Sequence, residues 1–137
     1  MPESDDFPPV RLCASAELPE KGRAIVFDVL QWREPMHAFV LRFDGRVLAY
    51  LNRCVHAQTE MDWQPGEFLD SRKEFILCAS HGAAYEPHSG KCAGGPCGRG
   101  RLTALQVEER DGLVYWYPSR DTRPALDDAP TVNESPR

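Results

Sequence analysis

No segment of the sequence approaches the roughly 18 consecutive apolar residues of a membrane-spanning helix, so no membrane association is expected. Basic charge is also scarce: 16 lysines and arginines stand against 21 aspartates and glutamates, which gives a formal net charge of −5. This balance argues against a nucleic-acid partner and suits a protein partner with a basic docking face. The acidic start, MPESDDFPP, lacks the basic and apolar regions of a secretory signal, and a cytoplasmic location is expected.

Helical periodicity is weak throughout, and the 12 prolines and 10 glycines indicate many turns. With 137 residues, the chain is long enough for one domain with tails. Residues 1–9 are acidic and residues 118–137 are polar and proline-rich, so a flexible N-terminal tail and a disordered C-terminal tail are expected. The globular domain is predicted to span residues 10–117.

Two predicted hairpins flank the middle of this domain. Residues 37–52 contain two apolar runs joined by Asp44-Gly45, which is a strong hairpin signal. The same pattern returns in residues 102–117 around Asp111-Gly112. The segment between the hairpins is mostly loop, and a loop of that length inside a compact domain needs something to hold it, such as a metal centre. The sequence therefore predicts an all-β domain with a loop-built insertion.

Each end of the insertion carries a cysteine followed closely by a histidine. Cys54-Val-His56 is separated by twenty-one residues from Cys78-Ala-Ser-His81. Two sulfur and two nitrogen ligands suit a tetrahedral zinc ion, or a 2Fe–2S cluster in which one iron takes both cysteines and the other takes both histidines. Zinc fingers usually pair ligands of one kind, whereas a mixed pair lets each loop span a two-iron core.

These loops and their surroundings resemble the Rieske 2Fe–2S family, specifically its small ferredoxin-like members. The similarity runs from about Ala24 to Tyr117. It includes both ligand loops, Gly82 after the second histidine, the aromatic Tyr85, the SGKCAGGP turn and the VEERDGLVYW hairpin. The twenty-one-residue gap is longer than is typical, and the extra residues are expected in DWQPGEFLDSRKEF.

The resemblance implies a Rieske-type antiparallel β sandwich with a loop-built cluster-binding subdomain at about residues 52–101. It implies one Rieske-type 2Fe–2S cluster, with Cys54 and Cys78 on the buried iron and His56 and His81 on the outer iron. High-potential family members carry a disulfide between the two cluster loops and a serine after the second histidine. The corresponding positions here lack both, so a potential in the lower half of the Rieske range is expected; they are Thr59, Ser80 and Ala83.

Four further residues are expected to tune or shield the cluster. Tyr85 can donate a hydrogen bond to a cysteine sulfur, and Gly82 follows the second ligand loop. Pro96 lies in the glycine-proline turn that is expected over the cluster. Trp63 can shield the cluster, although filling the core of the loop is its more ordinary role.

The remaining cysteines and histidines are not expected to be ligands. Cys92 and Cys97 bracket AGGP and can form a disulfide, but two unpaired residues packed in the turn are expected in a reducing cytosol. Cys13 is expected to be a small buried residue. His37 and His88 are expected to be solvated or hydrogen-bonded.

Single-electron transfer by a soluble ferredoxin-like protein, serving an oxygenase or reductase partner, is the expected function. The alternative is a small iron–sulfur accessory or regulatory subunit of a larger reductase or oxygenase, and a structural zinc module is a third reading. Terminal oxygenases continue into a large mononuclear-iron domain, which is not expected in a chain that ends at Arg137. A non-catalytic component of an oxidoreductase system is therefore expected.

Overall fold

The computed structural model describes residues 8–53, 60–62, 66–78 and 82–125. These residues form strands and a single 3-10 turn, Ser15–Glu17, and they contain no α-helix, which confirms the predicted all-β class. In none of these ranges does a helix reach the length and apolarity needed to span a membrane. The strands are β1 Val10–Ala14, β2 Ile25–Gln31, β3 Glu34–Phe43, β4 Arg46–Leu51, β5 Ile76–Leu77, β6 Ala84–Tyr85, β7 Cys92–Gly94, β8 Ala104–Arg110, β9 Leu113–Tyr117 and β10 Thr122–Pro124.

Seven strands form a large antiparallel sheet in the order β1-β9-β8-β4-β3-β2-β10, and β5, β6 and β7 form a small second sheet. The large sheet folds over on itself. Trp116 in β9 and Phe27 in β2 have ring centroids 5.4 Å apart, although β8, β4 and β3 lie between them in the sheet order. The two halves thus face each other across a common apolar core, which confirms the predicted antiparallel sandwich.

Both predicted Asp-Gly turns are present. Asp44 and Gly45 have φ values of 54° and 77°, and Asp111 and Gly112 have φ values of 55° and 79°. Positive φ at both central residues defines the two-residue turn whose twist matches antiparallel strands. A third turn of this kind, at Trp32-Arg33 between β2 and β3, has φ values of 53° and 71° and was not predicted, because neither residue favours the left-handed region.

The C-terminal boundary differs from the predicted one. A disordered tail is expected from residue 118, but Thr122–Pro124 form β10, which pairs with β2 at the edge of the sheet. The backbone N–H of Trp32 donates to the carbonyl oxygen of Asp121 at 2.9 Å, and the Thr122 hydroxyl donates to the side chain of Gln31. Strand pairing in the sandwich therefore reaches Pro124, because backbone hydrogen bonds to one neighbouring strand hold even a polar, proline-containing segment.

The insertion begins and ends on neighbouring strands. Strand β4 pairs with β8 through Ala49 opposite Leu105, and the backbone N–H of Leu51 donates to the carbonyl oxygen of Thr103 at 2.9 Å. The chain thus leaves the sandwich at the end of β4 and returns beside it at the start of β8. The described residues between these two points include the small sheet of β5, β6 and β7, which lies within the predicted cluster-binding subdomain.

Strand β3 is buried on both faces, which joins the sandwich to the subdomain. Ala38 and Val40 point into the sandwich, while Phe39 and Leu41 belong to the core shared with the subdomain. Phe39 stacks on the fully buried Phe68, with ring centroids 3.7 Å apart. Phe68 lies within DWQPGEFLDSRKEF, so part of the long gap packs against β3.

An arginine on β3 ties three parts of the sandwich together. The Nη1 and Nη2 atoms of Arg42 donate to the two carboxylate oxygens of Glu109 on β8 at 2.9 and 2.6 Å, and its Nε donates to the carbonyl oxygen of Leu18 at 2.8 Å. The hydrogen bonds from Arg42 lower the pKa of the Glu109 carboxyl to about 2. This bidentate pair links β3 to β8 across their shared neighbour β4.

We expect Glu109→Gln to lower the free energy of unfolding at neutral pH by about 1 kcal/mol, a value reduced for partial solvent exposure. Because the folded-state pKa of Glu109 is depressed, its contribution is present above the ordinary carboxyl pKa and is lost as the pH falls toward about 2. Urea unfolding from neutral pH to pH near 2 measures this. The free energies of unfolding of wild type and Glu109→Gln should converge in acid. The difference between wild type and the exposed Glu34→Gln control should not change with pH in this way.

Candidate metal centre

Cys78 opens a tight loop between β5 and β6 that carries the second predicted ligand pair. The backbone N–H of Cys78 donates to the carbonyl oxygen of Ala83 at 2.8 Å, and the N–H of Gly82 donates to the carbonyl oxygen of Cys78 at 2.8 Å. These two bonds close the C-x-x-H-G segment at its base. Backbone hydrogen bonds at both ends of the loop therefore fix it to the small sheet.

Cys78 and Tyr85 are both fully buried within the core that joins the sandwich to the subdomain. Tyr85 lies on β6, opposite Ile76 on β5, so it flanks the same hairpin that Cys78 opens. A thiol in this position is shielded from water, which suits a cysteine on the buried iron of a cluster. The donor at Cys78 thus fits the predicted 2Fe–2S group.

The first predicted ligand loop is anchored by a buried asparagine at its base. Asn52 is 5% exposed; its Oδ1 accepts a hydrogen bond from the backbone N–H of Met61 at 2.7 Å, and its Nδ2 donates to Asp62 at 3.1 Å. The backbone N–H of Asn52 donates to the carbonyl oxygen of His37 on β3 at 2.9 Å. Asn52 therefore brings together the residues on either side of the C-x-H segment and fixes them to the sandwich.

The glycine-proline turn lies against the second ligand loop. Gly95 has a φ of 86°, and a Cβ atom there would lie 2.7 Å from the carbonyl oxygen of Gly82 and 2.9 Å from the Cα of Ala83. Pro96 is exposed in the same turn. The turn thus packs against the end of the loop that begins at Cys78, and only glycine permits this close approach.

One expectation for this turn is corrected. Cys92 and Cys97, expected as unpaired residues, form a disulfide with a Cα–Cα distance of 5.7 Å. Strand β7 and the turn bring the two Cα atoms to a separation that favours a bridge, so pairing prevails over simple packing. The disulfide closes the turn that contacts Gly82.

Four of the predicted site residues lie outside the described residues, and their roles stay predictions. The structure places Cys78, Gly82, Tyr85 and Pro96 around one small sheet, but it does not test the ligand set. Within the described ranges, no group of three or more histidine, cysteine or acidic side chains is arranged to hold a metal ion. The four residues outside those ranges are Cys54, His56, Trp63 and His81.

The other two histidines are hydrogen-bonded, as expected, and their partners are carboxylates. His37 lies between Glu60, which contacts its Nδ1, and Asp28, whose Oδ1 is 3.2 Å from its Nε2. The hydrogen bond to Glu60 raises the pKa of His37. His88 Nε2 lies 2.9 Å from Asp44 Oδ2, in the first Asp-Gly turn. Both imidazoles are thus hydrogen-bonded.

Sequence reasoning missed two groups that shape the centre. Asn52 was placed only at the start of the loop region, because its burial and its hydrogen bonds to Met61 and Asp62 exist only in the folded chain. The contact between Gly95 and the Gly82 carbonyl had no signal beyond the density of glycines, because close approach depends on how distant segments pack.

We expect Gly95→Ala to lower the free energy of unfolding by about 2–3 kcal/mol, because it combines positive φ with overpacking against the ligand loop. Gly98→Ala is the matched control, since Gly98 has a φ of 60° but open space where its Cβ would lie. It should cost only about 1 kcal/mol, the left-handed penalty alone. Equal losses in chemical denaturation would contradict the close approach.

Residues 9–116 match the family described as Rieske [2Fe-2S] domain. No curated protein sequence matches the chain. Among solved structures, the ferredoxin of carbazole 1,9a-dioxygenase from Nocardioides aromaticivorans IC177 is similar, with a TM-score of 0.64 and 22% identity. The match covers 82% of this chain and 100% of that ferredoxin.

Larger proteins match over part of their length. The terminal oxygenase of carbazole 1,9a-dioxygenase from Novosphingobium sp. KA1 gives a TM-score of 0.64 at 23% identity, over 88% of this chain and 32% of that one. A reduced complex between oxygenase and ferredoxin in carbazole 1,9a-dioxygenase gives 0.63 at 21% identity, over 82% of this chain and 29% of the matched chain. The family match covers most of the sequence, and the fold agrees with it. The chain therefore belongs to the Rieske [2Fe-2S] domain family, whose 2Fe–2S cluster it binds.

Proposed function

We propose that the chain is a ferredoxin-like carrier that accepts one electron through its cluster and donates it to an oxygenase or reductase component. The observation that favours a carrier is that the fold similarity takes in 100% of the Nocardioides ferredoxin. On this proposal the chain is non-catalytic by itself. We further place it in the cytoplasm, since its acidic composition and ferredoxin-like fold suit a soluble carrier.

The proposed ligands are Cys54 and Cys78 for one iron and His56 and His81 for the other. Support comes from the bases of the two loops: backbone bonds at Cys78 close the second, and Asn52 braces the first. When bound, the cluster supplies a one-electron redox couple, and imidazole ligation raises its reduction potential. The chain contributes a rigid frame for the donors and a dry environment around the Cys78 sulfur.

The surface above the second loop suits electron exchange with a partner. Gly82, Gly94, Gly95 and Pro96 are exposed, and none of them has a long side chain. A partner protein can therefore approach the backbone of this loop closely. The tightly held turn also limits the rearrangement needed when the partner docks.

Cys78→Ser should abolish cluster binding, because the buried donor is lost. The wild-type protein is expected to contain iron and acid-labile sulfide at one 2Fe–2S cluster per chain, with a reduced EPR spectrum whose average g value lies below the free-electron value. The matched control is Cys13→Ser, which alters a buried cysteine of the sandwich core and should keep full cluster content.

The histidines give a second arm of the same test. His56→Asn and His81→Asn should lose the EPR signature, whereas His37→Asn and His88→Asn should keep it, because those imidazoles pair with carboxylates. The reduced wild-type protein should pass one electron per chain to cytochrome c. A colourless protein that binds zinc and transfers no electron would overturn the proposal.

We expect a reduction potential in the lower half of the range of roughly −150 to +300 mV known for Rieske centres. Tyr85→Phe should lower it by roughly 20–60 mV, which is a hydrogen bond of about 0.5–1.5 kcal/mol expressed for one electron. The potential falls because a hydrogen bond donated to a cluster sulfur stabilises the more negative, reduced cluster, and the variant lacks this bond.

Protein-film voltammetry measures the shift. The control is Tyr50→Phe, another buried tyrosine, whose hydroxyl donates to the carbonyl oxygen of Pro87 at 2.6 Å instead; its potential should match the wild type. A wild-type potential above about +100 mV, or equal shifts in both variants, would contradict the assignment.

A further inference from the structure

The Cys92–Cys97 disulfide is placed where a reagent can reach it. Ala93, Gly94, Gly95 and Pro96, which it encloses, are all exposed. Cys92 itself is half-buried, whereas Cys97 is 7% exposed. The two sulfurs are therefore unequal: an incoming thiolate meets Cys92 first, and Cys97 is the shielded leaving group.

The fold of this segment does not depend on the disulfide alone. The backbone N–H of Cys92 donates to the carbonyl oxygen of Gly100 at 2.9 Å, and the N–H of Gly100 donates to the carbonyl oxygen of Cys97 at 2.9 Å. Lys91 and Arg101 form an antiparallel backbone β-bridge just outside these bonds. The disulfide itself spans a sequence separation of only 5, and cross-linking stabilises short loops least. The turn can therefore open at sulfur while its base stays paired.

The same turn touches the second ligand loop. Gly95 packs on the carbonyl oxygen of Gly82, and Cys97 Sγ lies 3.7 Å from the carbonyl oxygen of Ala84 on β6. Opening the disulfide would therefore disturb residues that directly contact the loop between Cys78 and Ala84. Neither cysteine is in the proposed ligand set, so the cluster leaves this pair chemically unused.

We propose that Cys92 and Cys97 form a second redox centre, a thiol–disulfide exchange site that takes a dithiol as its reductant. A thiolate of the dithiol attacks Cys92 Sγ, the Cys92–Cys97 bond breaks, and Cys97 leaves as a thiolate that takes a proton. The second thiolate of the dithiol then attacks the dithiol's first sulfur, which is bonded to Cys92 Sγ in the mixed disulfide. The bond to Cys92 breaks, and Cys92 leaves as a thiolate that is also protonated. Two electrons and two protons pass to the chain, and the dithiol becomes a disulfide.

Reduction frees the cover of the ligand loop. With the covalent closure gone, Gly94 to Pro96 are held only through the base of the turn, and the contact between Gly95 and Gly82 loosens. This consequence rests on the proposed function only where it concerns the cluster; the exchange chemistry and the loosening of the loop do not require a bound metal.

The test uses the full-length, cluster-loaded protein and dithiothreitol as the dithiol. After incubation with reduced or oxidised dithiothreitol, native protein is treated with iodoacetamide and digested with trypsin. Cleavage after Lys91 and Arg99 releases Cys92 and Cys97 in one peptide without any other cysteine. We expect no label on this peptide in the oxidised state, two labels after reduction, and full reversal on reoxidation.

Cys13 serves as the internal control, because it is buried, forms no disulfide and has a pKa raised by burial. It should stay unlabelled throughout. Labelling of Cys92 and Cys97 only when Cys13 also reacts would mean that the bridge opens by unfolding, and it would overturn the proposal. Labelling without reductant would overturn it too, since no disulfide would then form.

Single variants test the inequality of the two sulfurs. With oxidised glutathione, Cys97→Ser should form a mixed disulfide at Cys92 several-fold faster than Cys92→Ser forms one at Cys97, and equal rates would contradict the assigned order of attack. Hydrogen exchange at the Gly82 amide should quicken on reduction in cluster-loaded and cluster-free protein alike. If the chain binds no cluster but hydrogen exchange at Gly82 still quickens on reduction, the electron-carrier proposal fails while this one stands. If hydrogen exchange at Gly82 is unchanged on reduction, the disulfide does not control the loop, and that part of the proposal is overturned.

Discussion

The burial of β3 on both faces is the constraint on which the rest of the molecule depends. One face closes the sandwich through Ala38 and Val40, and the other carries the subdomain through Phe39 and Leu41. Since a strand exposes alternate residues to opposite faces, a slip of one residue would exchange these two sets. The Asp-Gly turn and the salt bridge from Arg42 both act on this strand and help to hold its register. The subdomain can be mostly loop because its platform is rigid.

Much of the fold was predictable because its signals are local. Asp44-Gly45 and Asp111-Gly112 specify their turns by backbone preference, and the adjoining apolar runs specify the strands. The turn at Trp32-Arg33 was missed because tertiary pairing imposes a conformation that neither residue favours. Strand β10 was missed for a related reason: an edge strand such as Thr122–Pro124 obtains its hydrogen bonds from a distant neighbour and needs little apolar character of its own.

The candidate metal centre likewise combines features that local sequence signals predict with features that depend on long-range contacts. Cysteine-histidine spacing predicts a metal site, and Cys78 is buried at a closed loop as that prediction requires. The supporting contacts were not readable, because Asn52 and Gly95 act on segments far from them in sequence. The pairing of Cys92 with Cys97 was undecidable from spacing alone; it depends on where β7 and the following turn direct the two sulfurs.

The side-by-side departure and return of the chain at β4 and β8 makes the protein modular. Because Leu51 bonds to Thr103, the chain leaves and re-enters the sandwich at two adjacent strand ends, and the strand order of the large sheet does not depend on the length of chain between them. Insertions such as the one containing Phe68 can accumulate there without altering the topology of the larger sheet. Strand order and insertion length are therefore separate properties of the sequence: pairing within the sandwich sets the first, and packing on the outer face of β3 constrains the second.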